Sequence, residues 1–343
     1  MSENNKPLIL GIESSCDETS VALLKGFDVL SHVIYSQLIH KEYGGVVPEL
    51  ASREHETAIS RVVDKAFSDA PGIRPENVDA IAVTYGPGLM GALLVGLNFA
   101  KGLAIALNKP LIAINHVEAH LYAPFLEFPD LNPPMLCLLV SGGHTMLIDV
   151  RGIRDFTILG QTLDDAAGES FDKVARLLKI GYPGGPVIDR LSEKGNAEAV
   201  VFPRPYLNKD SLDFSFSGLK TAVLNYTRDK MFTDQEIADI AAGFQASVVD
   251  VLEEKVRRAV VSTNHKNVIL AGGVAANRLL RHRLRELSEK MDIKLYYPPL
   301  KYCTDNAAMI AAAGVLYYEK GWTSELTVPA VPNLRIYDYS YTG

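Results

Sequence analysis

Short apolar runs closed by small-residue turns, with long amphipathic stretches between them, set the pattern of this chain. Residues 8–12 read as an apolar strand. The polar turn Glu13-Ser14-Ser15-Cys16-Asp17-Glu18-Thr19 follows, and 20–24 resume as a strand. Downstream the same order returns as strand 135–140, turn Ser141-Gly142-Gly143-His144 and strand 145–150. Such a recurrence predicts a duplicated domain. A second recurrence agrees with it. Strand 78–83 leads through Gly86-Pro87-Gly88 into an apolar helix over 89–107, and strand 267–270 leads through Ala271-Gly272-Gly273 into a helix over 275–290. Strand, glycine turn and helix form the grammar of α/β ligand cradles. Residues 53–70 and 234–262 place apolar side chains at three- and four-residue steps, the period of amphipathic helices. An Ala-rich helix over 307–320 follows, and the weakly periodic 321–343 is expected to pack across the first domain.

A length of 343 residues suggests two domains, and 48% hydrophobic residues supply their cores. The polar start, 1–7, lacks the basic-then-apolar order of a signal peptide. The helix over 89–107 is interrupted by Asn98 and Lys101, so burial is expected rather than a membrane span. Cys16, Cys137 and Cys303 are scattered without a CxxC pair, which points to a reducing, cytoplasmic setting. The net charge of −7 does not coat nucleic acid by bulk electrostatics. RNA contact would need a local basic patch or a partner's charge. Arg278, Arg281, Arg283 and Arg285, with His282, form a basic helical stretch: a solvated face, or a surface for RNA or a partner.

The densest chemistry lies in Asn115-His116-Val117-Glu118-Ala119-His120, just after the apolar run 110–114. On a helix, histidines four apart stand about 40° from each other and can share one metal ion. Glu118 falls roughly 200° away, so this is not a zinc-protease motif, where the Glu directly follows the first His. A third ligand is needed. Asp305, in Cys303-Thr304-Asp305-Asn306, is the remote candidate, with a helix cap as its ordinary alternative. Two imidazoles and one carboxylate suit Fe(II), Zn or Mn and leave room for a substrate oxygen. The turns 13–19 and 141–144 could aim backbone N–H groups at an anion, though Glu13 and Asp17 would repel phosphate unless a metal bridged them. Asp172 could bind ligand or serve a helix dipole. The glycine pair of 271–278 could admit a nucleotide or sugar, with Asn277 on ribose or base; neither a P-loop nor a GxGxxG fingerprint is present. Phe214 and Phe216 read as core.

Six motifs in order carry a family resemblance: Gly-Ile-Glu-Ser-Ser-Cys-Asp-Glu-Thr (11–19), Asn-His-Val-Glu-Ala-His (115–120), Val-Ser-Gly-Gly-His-Thr (140–145), Phe-Ser-Phe-Ser-Gly-Leu-Lys-Thr-Ala (214–222), Ala-Gly-Gly-Val-Ala-Ala-Asn (271–277) and Cys-Thr-Asp-Asn (303–306). With them the chain resembles the bacterial TsaD family of tRNA N6-adenosine threonylcarbamoyltransferases, once described as O-sialoglycoprotein endopeptidases. The resemblance implies an α/β architecture of two duplicated ribonuclease-H-like (actin-like ATPase) domains facing a central cleft. Residues 1–110 with about 307–343 would form the first, and 111–306 the second, carrying the metal and nucleotide site. It implies that His116, His120 and Asp305 hold one divalent metal, iron(II) ahead of zinc. Leu139, Val140, Ser141, Gly142, Gly143, Asp172, Gly185, Asp189 and Asn277 would bind the donor, threonylcarbamoyl-AMP. The acyl group would pass to N6 of the adenosine 3′ to the anticodon in tRNAs reading codons that begin with adenosine, and AMP would leave. Partners would be tRNA and TsaB-like and TsaE-like proteins, with no membrane. The helix over 89–107, with Ala92 and Gly96, would serve domain packing or partner docking. Glu13 and Asp17 are the candidates for the proton acceptor; no serine or cysteine nucleophile paired with histidine is evident. The competing readings are a metal-dependent glycoprotease, a sugar kinase or ATP-driven chaperone of the same superfamily, and a non-catalytic scaffold.

Overall fold

A computed structural model of the chain describes residues 6–205 and 210–339. The chain first builds β1 (Leu8–Glu13), β2 (Glu18–Lys25), β3 (Asp28–Ser36), the single turn α1 (His40–Tyr43) and α2 (Pro48–Ser68). It continues through β4 (Ala80–Gly86), α3 (Met90–Leu107), β5 (Leu111–Asn115) and α4 (His116–Tyr122). A second set opens with β6 (Met135–Val140), β7 (Thr145–Gly152), β8 (Asp155–Gln161), α5 (Ala167–Leu178) and α6 (Gly184–Ser192). It closes with α7 (Ser217–Thr227), α8 (Asp234–Thr263), β9 (Asn267–Ala271), α9 (Arg278–Met291) and β10 (Lys294–Tyr296), before the last helix, α10 (Ala307–Glu319).

These elements form two compact units, Met1–Leu131 with Asp305–Gly343, and Asn132–Thr304. The first unit's sheet runs β3-β2-β1-β4-β5 and the second's β8-β7-β6-β9-β10. In each, the leading strand pairs antiparallel with its hairpin partner and parallel with the fourth strand. This is the ribonuclease-H-like plan built twice, and the two repeated hairpins are its leading strands. The expected boundary at residue 110 falls inside the first unit. β5 pairs in parallel with β4, so the apolar run after Pro110 completes the first sheet and does not open a second domain. His116, His120 and Asp305 therefore all belong to the first unit, not to the second as expected.

Strand alternation explains how that unit packs. Leu8, Leu10 and Ile12 share a core with Ala58, Ile59, Val62 and Val63 of α2 and Leu97, Ala100 and Ala104 of α3. The opposite face of β1 takes α10, where small residues let backbones meet. A side chain at Gly11 would strike the Ala307 carbonyl and Ala311, and one at Gly314 would strike Ala82 and Ile9. The tail lies on the same unit, as expected: Val331 N–H donates to the Tyr85 carbonyl at 2.8 Å, and Ser324 N–H to that of Leu111 at 2.8 Å. The expectation of a buried helix over 89–107 is only half met. α3 buries Ala92, Leu93, Gly96, Leu97, Ala100 and Ala104, while Met90, Leu94 and Ile105 stay exposed. Among the described residues, α3 is the one helix long and apolar enough to cross a membrane. Its packing face shows it folded into the unit's core.

The second unit centres on α8, capped by a reciprocal Thr233–Glu236 pair. Phe214 and Phe216 are fully buried and stacked at 6.2 Å, as expected of core residues. The segment they belong to is fixed from a distance. Asp164 accepts from the Ser215 and Ser217 hydroxyls at 2.6 and 2.7 Å and from the Phe216 and Ser217 N–H groups at 2.8 and 3.2 Å. Burial works to raise its pKa, but these bonds to the charged form outweigh burial and hold the carboxyl below its ordinary value.

Two outcomes follow from this packing. Gly11→Ala should lose about 1–3 kcal/mol through overpacking, read as a lower urea midpoint; an unchanged midpoint would contradict the α10 contact. Because the folded pKa of Asp164 lies below the unfolded one, its contribution is present above about pH 4 and lost as pH falls through the lower folded value. Thermal melts of Asp164→Asn and the parent chain should therefore differ at pH 7 and converge toward pH 2. A constant gap would show that the charge is not what the clamp uses.

Candidate functional site

Asn115 ends β5 and caps α4. Its side-chain oxygen accepts from Val117 and Glu118 N–H at 2.9 and 3.2 Å, and its amide donates to the Arg335 carbonyl of the tail at 3.0 Å. The cap fixes the direction of the first helical turn, and with it both histidines. The nearby Asp305 is not the cap of α10. Asn306 is, accepting from Met309 N–H at 3.0 Å, so the Asp305 carboxylate is released toward α4. Its Oδ1 lies 3.3 Å from Nε2 of His116 and 3.3 Å from Nε2 of His120.

The ligating atoms of His116, His120 and Asp305 all fall within 4.8 Å of one another. Metal bonds of roughly 2.0–2.2 Å place neighbouring donor atoms about 3 Å or slightly more apart, so the triad fits one divalent ion. Both histidines are buried, and the Asp305 side chain keeps 29% exposure, leaving one side of the triad reachable. Glu118 is wholly buried and accepts from the Tyr122 hydroxyl at 2.9 Å, turned from the triad as its spacing predicts.

Glu13, at the end of β1, is also wholly buried. Its Oε1 accepts from Ser15 N–H at 2.5 Å, and its Oε2 from the Thr84 hydroxyl at 2.5 Å. His116 Nδ1 stands 3.0 Å from the same Oε2. Burial opposes its charge, yet His116 prevails and the carboxyl sits below its usual range. For His116 too, burial opposes charge, and Asp305 and Glu13 outweigh it, raising its pKa well above normal. Asp305 resists burial in the same way through His116 and is held well below normal. Both oxygens of Glu13 are thus filled by internal donors and none of its surface is exposed, an environment unlike that expected of a proton acceptor. Asp17 is partly exposed and hydrogen-bonded to Cys16 and Glu18. Sequence reasoning passed over its neighbour Glu18, whose pKa burial, Asp305 and Asp17 push up to about 9. The crowding of carboxylates in the 13–19 turn was the signal. Burial likewise raises the thiols of Cys16, Cys137 and Cys303, so none offers a thiolate at neutral pH.

In the second unit, Leu139 and Val140 are fully buried in β6, so of the expected stretch only the Ser141–Gly143 turn presents side chains or open backbone to solvent. Asp172 on α5 accepts from Gly184 N–H at 2.6 Å, beside Gly185 at the head of α6. Asp189 on α6 binds Arg278 at 2.7 Å. Asn277 caps α9 and donates to Gln245 at 2.8 Å. Asp189, Gln245 and Arg278, with Ser192, Glu193 and Leu279, line a cavity of about 340 Å³. Gln245 and Ser192 carried no sequence signal. Two expectations change here. Gly272 (φ 88°) packs on the Val140 carbonyl, so the fold itself requires glycine there. Two arginines of the basic stretch of α9 are already neutralised: Arg278 pairs with Asp189 and Glu193, and Arg283 with Asp250 and Glu253, whereas exposed Arg285 donates to the Tyr297 hydroxyl. Arg281 donates to the Ala275 and Pro298 carbonyls.

Residues 28–312 match the TsaD family, described as tRNA N6-adenosine threonylcarbamoyltransferase. A protein of that name from Clostridium botulinum (strain 657 / Type Ba4) is 53% identical over 332 residues, covering 96% of this chain and 97% of its own length. One from Thermosipho africanus is 53% identical, covering 96% of this chain and 100% of its own. Among solved structures, full-length HypF superposes with a TM-score of 0.62 at 14% identity, over 92% of this chain and 47% of that one. Component A of the Acidaminococcus fermentans (R)-2-hydroxyglutaryl-CoA dehydratase superposes with a TM-score of 0.52 at 19% identity, over 92% and 98%. These two show the fold alone. Near-complete coverage at this identity decides the matter: the chain is a member of the tRNA N6-adenosine threonylcarbamoyltransferase family.

Proposed function

We propose that this transferase works with one divalent metal on His116, His120 and Asp305, iron(II) ahead of zinc. Threonylcarbamoyl-AMP is the donor. The acceptor is N6 of the adenosine 3′ to the anticodon in tRNAs reading codons that begin with adenosine, and AMP is released. The observation that carries the metal reading is the convergence of two Nε2 atoms on one Asp305 oxygen, at 3.3 Å each. Two imidazoles and one carboxylate suit either ion. When bound, the metal supplies Lewis acidity toward negative charge developing on the donor.

The chain's own residues supply the rest. Donor binding falls to the Ser141-Gly142-Gly143 turn with Asp172, Gly185, Asp189 and Asn277. A side chain built at Gly142, Gly143 or Gly185 would meet nothing within 4 Å, so the fold does not require glycine there. A ligand approaching the backbone would. The N6 amine is a weak nucleophile and needs positioning and a proton acceptor. With Glu13 sealed, Asp17 is the carboxylate for that task. Three unionised thiols argue against a covalent acyl-enzyme. The glycoprotease reading fares worse, because Glu118 faces Tyr122 and is turned from the triad.

The setting is the cytoplasm, with TsaB-like and TsaE-like proteins as partners beside tRNA. Ala92 and Gly96 are inside the core, so docking on α3 falls to its outer face, Met90, Leu94 and Ile105. Leu94→Glu should abolish co-purification with the TsaB-like protein while leaving the melting temperature unchanged. Retained co-purification would remove α3 from the interface.

Reconstitution with a donor-making enzyme, partners and tRNA tests the reaction. His116→Ala and Asp305→Ala should each slow formation of modified adenosine by on the order of 100-fold or more; full activity in both would end the metal assignment. Gly142→Ala and Gly143→Ala should raise KM for the donor by about tenfold without lowering the melting temperature. An unchanged KM would take this turn out of the donor site.

A further inference from the structure

We propose that Glu13 is a positioning residue for the metal, acting through His116 and never touching substrate; this rests on the metal reading of the histidine pair. A neutral imidazole has two tautomers, and only the one protonated at Nδ1 leaves Nε2 free to bind an ion. His116 has Nε2 on the triad side, 3.3 Å from Asp305 Oδ1, and Nδ1 on the far side, 3.0 Å from Glu13 Oε2. A carboxylate accepts and cannot donate, so it selects the Nδ1–H form. The Ser15 hydroxyl, 3.2 Å from the same nitrogen, adds a second contact.

Glu13 is in turn immobilised. Ser15 N–H holds one oxygen at 2.5 Å and the Thr84 hydroxyl the other at 2.5 Å. The chain Thr84–Glu13–His116 thus crosses the ends of β4 and β1 to the head of α4, all fully buried or nearly so. Glutamine could not replace it. An amide offers one oxygen, while Ser15, Thr84 and His116 present three donors. His120 has no such support: its Nδ1 is buried with no hydrogen-bond partner among the described residues. The orientation of the pair therefore hangs on His116 and its carboxylate.

Metal-free full-length protein would be titrated with Co(II) and with Zn(II) against a chromophoric chelator. The parent chain should bind one equivalent. Glu13→Gln should bind about 10- to 100-fold more weakly, with an altered Co(II) visible spectrum, and recover most of its kcat at saturating metal. Thr84→Val, which keeps Glu13 but removes its donor, should weaken metal binding by several-fold. Nitrogen-detected NMR of the zinc-loaded parent chain should show His116 protonated at Nδ1, a readout that needs no variant to fold. Unchanged metal affinity in Glu13→Gln, or metal on Nδ1, overturns the proposal; lost activity with unchanged affinity would make Glu13 a substrate-contacting base. If the parent chain binds neither ion, the metal reading itself falls, and this proposal with it.

Discussion

A carboxylate buried without partners costs more than a fold of this size can spare. Glu13 is such a group, fully enclosed at the end of β1. Its charge is tolerable only if Ser15, Thr84 and His116 converge on it. That requirement ties β1 to β4 through Thr84, and to the residue where β5 becomes α4 through His116. Strand register, helix start and imidazole orientation are thus coupled through one side chain. Slipping β4 by one residue would turn Thr84 to the other face and leave the carboxylate short of a donor. The same constraint explains why α4 can be only seven residues long yet well placed. It is pinned by the Asn115 cap at its head and by Glu13 beneath its first residue.

Two copies of one topology have diverged at the equivalent turn. In the first unit the turn after the leading strand carries Glu13, Asp17 and Glu18. In the second it carries Ser141, Gly142 and Gly143, exposed or nearly so and without acidic groups. One turn gathers carboxyl groups around a cation-sized triad, with Glu18 held protonated by burial and by their crowding, and the other offers bare backbone. The sheet gives both turns the same support, so residue identity alone separates a turn suited to a cation from one open to an anion.

Much of this was legible in the chain. Both hairpins, both strand–glycine–helix units and α8 follow from periodicity, because each is a local pattern with a distinct period. The triad was legible because histidines four apart and a remote carboxylate have few other joint uses. What failed was non-local. The run before Asn115 is apolar on every residue, as a parallel strand buried on both faces must be, and nothing local says which sheet it joins. The α9 arginines read as a basic face because their acids, Asp189, Glu193, Asp250 and Glu253, lie on other helices. Glu13 read as a base because a sequence gives residue types and not the donors that fill a carboxylate. One signal was available: Thr84 is a short hydroxyl side chain in a strand whose residues are all buried, and a buried hydroxyl in such a place needs a partner.

The neutralised arginines also bear on how an acidic enzyme meets tRNA. Affinity for a polyanion comes largely from cations that replace condensed counterions. Arg278 and Arg283 are each held by two carboxylates, and Arg281 by backbone carbonyls. A phosphate would have to displace those partners, so these three arginines add little to such an exchange. With a net charge of −7, the chain has little long-range pull on RNA. Any cationic surface for tRNA must therefore come from groups other than these paired arginines.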